Sequence, residues 1–163
     1  MKKQYLRFQG MLFLTLMFLF TLFSGKALAQ STLSLGDISI IGINANTPDN
    51  FAFVTWVDLL NNTEIRFTDN GFSAGSNSST AGIYRDQEQY VTWKNNTGAT
   101  IPAGTVVVIT GATSPMSTSL GQIVSILNSS GSAATSMSLI NTSGDQIFAF
   151  QGAGAVAPGN TTT

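Results

Sequence analysis

The chain has 163 residues, of which 9% are charged, and contains neither histidine nor cysteine. Those two absences exclude Ser-His-Asp and Cys-His catalysis, thiolate chemistry, disulfides and ordinary zinc sites. The formal charge of −1 joins two unlike parts: Lys2, Lys3, Arg7 and Lys26 precede residue 30, and all eight acids follow it.

Residues 1–29 read as a secretory signal peptide. Lys2, Lys3 and Arg7 make a basic start, Met11 to Phe23 is a largely apolar run, and Ala27-Leu28-Ala29 has the small-x-small pattern of a cleavage site. Thirteen residues rise about 20 Å as a helix, short of the roughly 30 Å hydrocarbon core, so a membrane is expected only as the route of export. Cutting after Ala29 leaves one domain, Gln30 to Thr163, in which Arg66, Arg85 and Lys94 face eight acids, a net −5. Such a surface repels phosphate backbones and argues against nucleic acid as a partner.

Past the lead-in, Asp37 to Ile43 reads as a strand, and Asn44 to Asn50 as a turn cluster. Phe51 to Leu60 is apolar on both faces over most of its length, as a central strand would be. Asn61-Asn62 connects it to an alternating strand, Glu64 to Thr68, and Asn70 to Gly82 has the composition of a loop. Gln89 to Lys94 alternates again. Thr105 to Thr110 reads as a fully buried strand from its run of β-branched residues. Gln122 to Leu127 is a further strand, and the segment from Ser138 to Gly152 reads as a hairpin turning at Ser143-Gly144, with Gln146 to Phe150 returning. Seven to eight short strands without helical periodicity predict an all-β sandwich. The low-complexity tail suggests a piece of a longer chain.

Asp69-Asn70-Gly71 follows the strand that ends at Thr68. Asp and Asn favour turns because their side chains bond nearby backbone, and this is the first reading. The second is calcium, which takes six to eight oxygens from carboxylates and carbonyls on loops. Asp69 and Asn70 would supply oxygens, with Asp86 or Glu88 reaching in; the spacing is not that of an EF-hand. No other cofactor is expected.

Carboxylate chemistry survives the exclusions, but no pair of acids is singled out by spacing. Lys94 reads as a solvated charge rather than an isopeptide donor. Six Asn-x-Ser/Thr sequons, at Asn61, Asn77, Asn95, Asn128, Asn141 and Asn160, are what a chain rich in these residues produces by chance. Phe51, Phe53, Phe67, Trp93, Phe148 and Phe150 are assigned to the core. Trp56 and Tyr90 could form a sugar-stacking platform, although core is again the favoured place.

The stretches "GDISIIGINANTPDNFAFVTWVDLLNNTEIRFTDNGF", "VTWKNNTGATIPAGTVVVIT" and "SGDQIFAF" together resemble a module of secreted bacterial proteins of the Bacteroidota type. That module is distantly similar to the lamin-tail domain, an immunoglobulin-like β-sandwich. The likeness covers roughly Gly36 to Gln151, with Phe51 to Val57 and Ile101-Pro102-Ala103-Gly104 in the family's places. Gly42 and "NFAFVT" stand where that family carries acids, so no binding role transfers with them. The resemblance implies a fold and a setting in secretion. The expected function is a secreted, non-catalytic structural or adhesive module of a larger surface protein, meeting protein or polysaccharide at the cell surface. An accessory domain of a secreted hydrolase and a carbohydrate-binding module are the alternatives.

Overall fold

A computed structural model describes residues 30–46, 48–73, 83–84, 88–111, 115–128, 131–137, 139 and 146–151. The signal peptide, Asp86 and the turn expected at Ser143-Gly144 lie outside them. The strands are β1 (Ile38–Asn44), β2 (Asn50–Thr55), β3 (Glu64–Thr68), β4 (Phe72–Ser73), β5 (Ile83–Tyr84), β6 (Tyr90–Lys94), β7 (Val106–Thr110), β8 (Ser117–Thr118), β9 (Gln122–Leu127) and β10 (Phe148–Phe150). No helix occurs among the described residues.

Two antiparallel four-stranded sheets form a β-sandwich, the first ordered β1-β2-β7-β8 and the second β10-β3-β6-β9; β4 and β5 pair separately. Their margins meet, with β1 beside β10 and β8 beside β9. Side chains alternate across each strand, so every second residue of β2, β3, β6 and β7 points inward. Phe51, Phe53, Val107 and Ile109 from the first sheet therefore meet Ile65, Phe67, Val91 and Trp93 from the second, and all eight are buried. The Phe53 ring lies 5.0 Å from Phe67 and 5.3 Å from Trp93, the latter edge-on at 77°. Each large side chain so buried contributes about 1.5–3 kcal/mol.

Gly121 is built into this packing. It takes φ +74°, and a Cβ there would lie 2.5 Å from the Lys94 carbonyl oxygen and 2.7 Å from the Trp93 ring. Trp93 Nε1 in turn donates to the Leu120 carbonyl at 2.7 Å.

Four expectations change. The run Phe51 to Leu60 is not one strand: β2 ends at Thr55, and Leu59 forms an isolated bridge with Ile101. β7 is buried on one face only, since Val106 is 48% and Val108 36% exposed. Branching at Cβ favours extended backbone on either face, so it did not report burial there. Trp56 is 57% exposed rather than core, because it continues the outward parity of Ala52 and Val54. Phe148 and Phe150 of β10 are half-buried, because they share the outward parity of Thr68 and Arg66 while Ala149 takes the inward position opposite Phe67. That return strand pairs with β3, Phe148 opposite Thr68 and Phe150 opposite Arg66.

Candidate functional site

Two places collect the residues singled out by the sequence. The first is the exit of β3. Thr68, Asp69 and Asn70 are all fully buried. Thr68 Oγ1 donates to the Gln89 carbonyl at 2.9 Å and accepts the Asn70 backbone and side-chain N–H groups at 3.1 and 3.0 Å. Asn70 Oδ1 accepts the Glu88 backbone N–H at 3.1 Å, and Asp69 Oδ1 the Gln89 N–H at 3.3 Å. The segment thus does more than turn the chain. It clasps the residues leading into β6 across an insertion of some eighteen residues. Glu88 joins Asn70 through its backbone, and Asp86 lies outside the described residues. Among the described residues, no group of three or more His, Cys, Asp or Glu is gathered as a metal site.

The second place is the outer face of the first sheet. Trp56 follows β2 directly; its backbone N–H donates to the Asp37 carbonyl at 2.8 Å, and its indole Nε1 donates to Ser39 Oγ at 2.9 Å. The ring is held by both ends of the residue while remaining exposed. Val54, on the same face, is only 4% exposed yet stands apart from the central cluster. Beside it lie Val106 and Val108, with Ile41 at the irregularity between Ile40 and Gly42 in β1. Tyr90, the other aromatic considered for a platform, is buried on the second sheet and packs edge-on against Phe150 at 6.2 Å. The two residues are not brought together.

Sequence reasoning missed the polar anchors, which are buried or half-buried. Asn95 is fully buried; its Nδ2 donates to the Leu59 and Ala99 carbonyls, each at 2.9 Å, and its Oδ1 accepts Thr97 N–H at 3.1 Å and Thr97 Oγ1 at 2.8 Å. Asp49 Oδ2 accepts the Leu139 N–H at 2.9 Å. Gln151 Oε1 accepts the Leu33 N–H at 2.8 Å, while its Nε2 donates to Ser31 O at 2.8 Å and Glu64 O at 3.1 Å. Ser31 N–H adds a bond to Thr63 Oγ1 at 2.8 Å, so residues 31–33 form a strap over the second sheet. A cavity of about 240 Å³, lined by Leu33, Ile38, Ile65, Ala149 and Phe150, opens beneath it. Lys94 pairs with Glu64 at 3.2 Å, its partner directly across the ladder, as a solvated charge would.

No protein family matches the chain, and no similar curated protein or solved structure was found.

Proposed function

We propose that the chain is a secreted, non-catalytic β-sandwich module that acts as a structural or adhesive part of a larger exported or surface protein. One observation carries this reading: the buried and half-buried polar side chains are engaged in holding segments of the fold together, whereas the first sheet turns a broad apolar face outward. Asp49, Asn70, Asn95 and Gln151 each bridge distant pieces of backbone. A catalytic group must instead present its reactive atoms to a substrate. An exposed apolar face serves contact with another surface.

The test is fractionation of the native host with an antibody against the domain, followed by intact-mass measurement. The proposal expects the domain in the medium or at the cell surface, with an amino terminus at Gln30. Retention inside the cell with residues 1–29 attached would overturn it.

A further inference from the structure

We propose that the outer face of the first sheet, centred on Trp56, binds a neutral polysaccharide; this rests on the adhesive reading above and names its partner. The first support is charge. Strands β1, β2, β7 and β8 contain no Asp, Glu, Lys or Arg, whereas the second sheet carries Glu64, Arg66 and Lys94 in its strands. A charged partner laid over these strands would lose hydration without meeting a counter-charge in them, which is costly, and an anionic one would also meet the carboxylates at the rim. A neutral sugar chain brings C–H faces and hydroxyls and no ion, so it complements such a face. A second copy of this chain, itself at −5 after cleavage, adds long-range repulsion instead.

The second support is the tryptophan. An exposed indole offers a flat apolar surface for the C–H face of a sugar ring. Here the ring is already oriented, because Nε1 is tied to Ser39 Oγ at 2.9 Å. Stacking on a fixed ring forfeits less side-chain freedom than stacking on a mobile one. The rim supplies acceptors for hydroxyls. Asp58, exposed two residues on, uses Oδ1 to accept the Ala103 N–H at 3.0 Å, and Asp37 uses Oδ2 for the Ser34 N–H at 2.7 Å. Both carboxylates are thereby held in place. At the opposite end, Asn50 and Thr110 stand across from one another in the ladder and extend the hydrogen-bonding margin.

The experiment is native electrophoresis of the full secreted chain through gels containing hydroxyethyl cellulose, laminarin or starch as neutral probes, with polygalacturonate as the anionic control. At least one neutral probe should retard the wild type by a factor of two or more, and polygalacturonate should not. Trp56→Ala should migrate as in an empty gel, and Trp56→Phe should keep part of the retardation. Because Trp93 is fully buried, a change in tryptophan emission on adding the retarding glycan should come from Trp56 and vanish in Trp56→Phe. Circular dichroism melts of both variants establish that they fold. No retardation on any neutral probe, or equal retardation of folded Trp56→Ala, overturns the inference. So does a sedimentation result in which the wild type dimerises and Trp56→Ala does not, which assigns the face to a second copy. Binding of the full chain to host cells, assayed in parallel, separates the two levels. Cell binding without glycan binding overturns the partner alone, and loss of both overturns the adhesive reading as well.

Discussion

Asn95 and Leu59 are 36 positions apart in the chain, and Asn95 Nδ2 donates to the Leu59 carbonyl at 2.9 Å in a fully buried setting. All the hydrogen-bonding capacity of that amide is used, two donors and two acceptor positions. Replacing it by alanine removes all four bonds from a fully buried position and leaves the Leu59 carbonyl with the Ile101 N–H alone, each lost bond costing about 0.5–1.5 kcal/mol. Asn95→Ala should therefore lower stability by about 2–4 kcal/mol in urea unfolding. The same burial forbids a glycan. Expressed in a glycosylating host, the folded domain should carry no sugar on Asn95, as peptide mass mapping would reveal.

The two tryptophans should behave as opposites. Trp93→Ala empties the centre of the sandwich and should cost about 3–5 kcal/mol. Trp56→Ala should cost under about 1 kcal/mol, since exposed positions contribute little. Acrylamide should quench only the Trp56 emission, leaving Trp56→Phe with a blue-shifted, protected signal.

Glycine is required at position 121 for two reasons and at 104 for one. Gly104 has φ +84° in the turn closed by Thr105 N–H to Pro102 O at 3.2 Å, with nothing near where a Cβ would stand. Gly104→Ala should cost about 1 kcal/mol, from backbone strain alone. Gly121→Ala adds collision with the Lys94 carbonyl and the Trp93 ring, and should cost at least about 3 kcal/mol. The difference between the two melting temperatures measures the collision.

Calcium separates two readings of the β3 exit. If Asp69 and Asn70 act only as a clasp, calcium at millimolar concentration should leave the melting temperature unchanged, and this is the expected result, because both ends of the Asn70 amide already bond the chain. An ion held there would add about 2.7 kcal/mol at a hundredfold excess over its dissociation constant. Asn70→Ala should cost about 1–3 kcal/mol with or without the ion.

Removing Gln151 should release the strap and little else. In Gln151→Ala the Leu33 amide loses its acceptor, so its hydrogen exchange should rise at least tenfold while β6 and β7 stay protected.

The sandwich was legible because β3 alternates polar and apolar residues, β6 puts Val91 and Trp93 on one face, and turn residues separate the strands. β7 misled because valine serves an outward position as readily as an inward one, and only the neighbouring strand decides which. β4, β5 and β8 span two residues each, too few for any period to register. Trp56 was misplaced because hydrophobicity argued for the core, whereas its parity with Ala52 and Val54 already pointed outward. The polar anchors were invisible for a different reason. Asn95, Asp49 and Gln151 bond mainly to backbone, and backbone carries no residue-specific signal. Nothing around residue 49 announces its partner at 139.

The pairing of β10 with β3 has a consequence for the order of assembly. Phe148 joins Thr68, eighty positions away in the chain, and Gln151 must arrive before Leu33 can be fastened to it. On the secretory route proposed above, a chain emerging amino end first holds β3 with a bare margin until β10 is out. Such margins recruit stray strands, and charge is a common safeguard against them. Glu64 and Arg66, two of the few charges this molecule carries in any strand, lie on that margin. Charge there opposes pairing with the β3 of a second copy until β10 takes its seat.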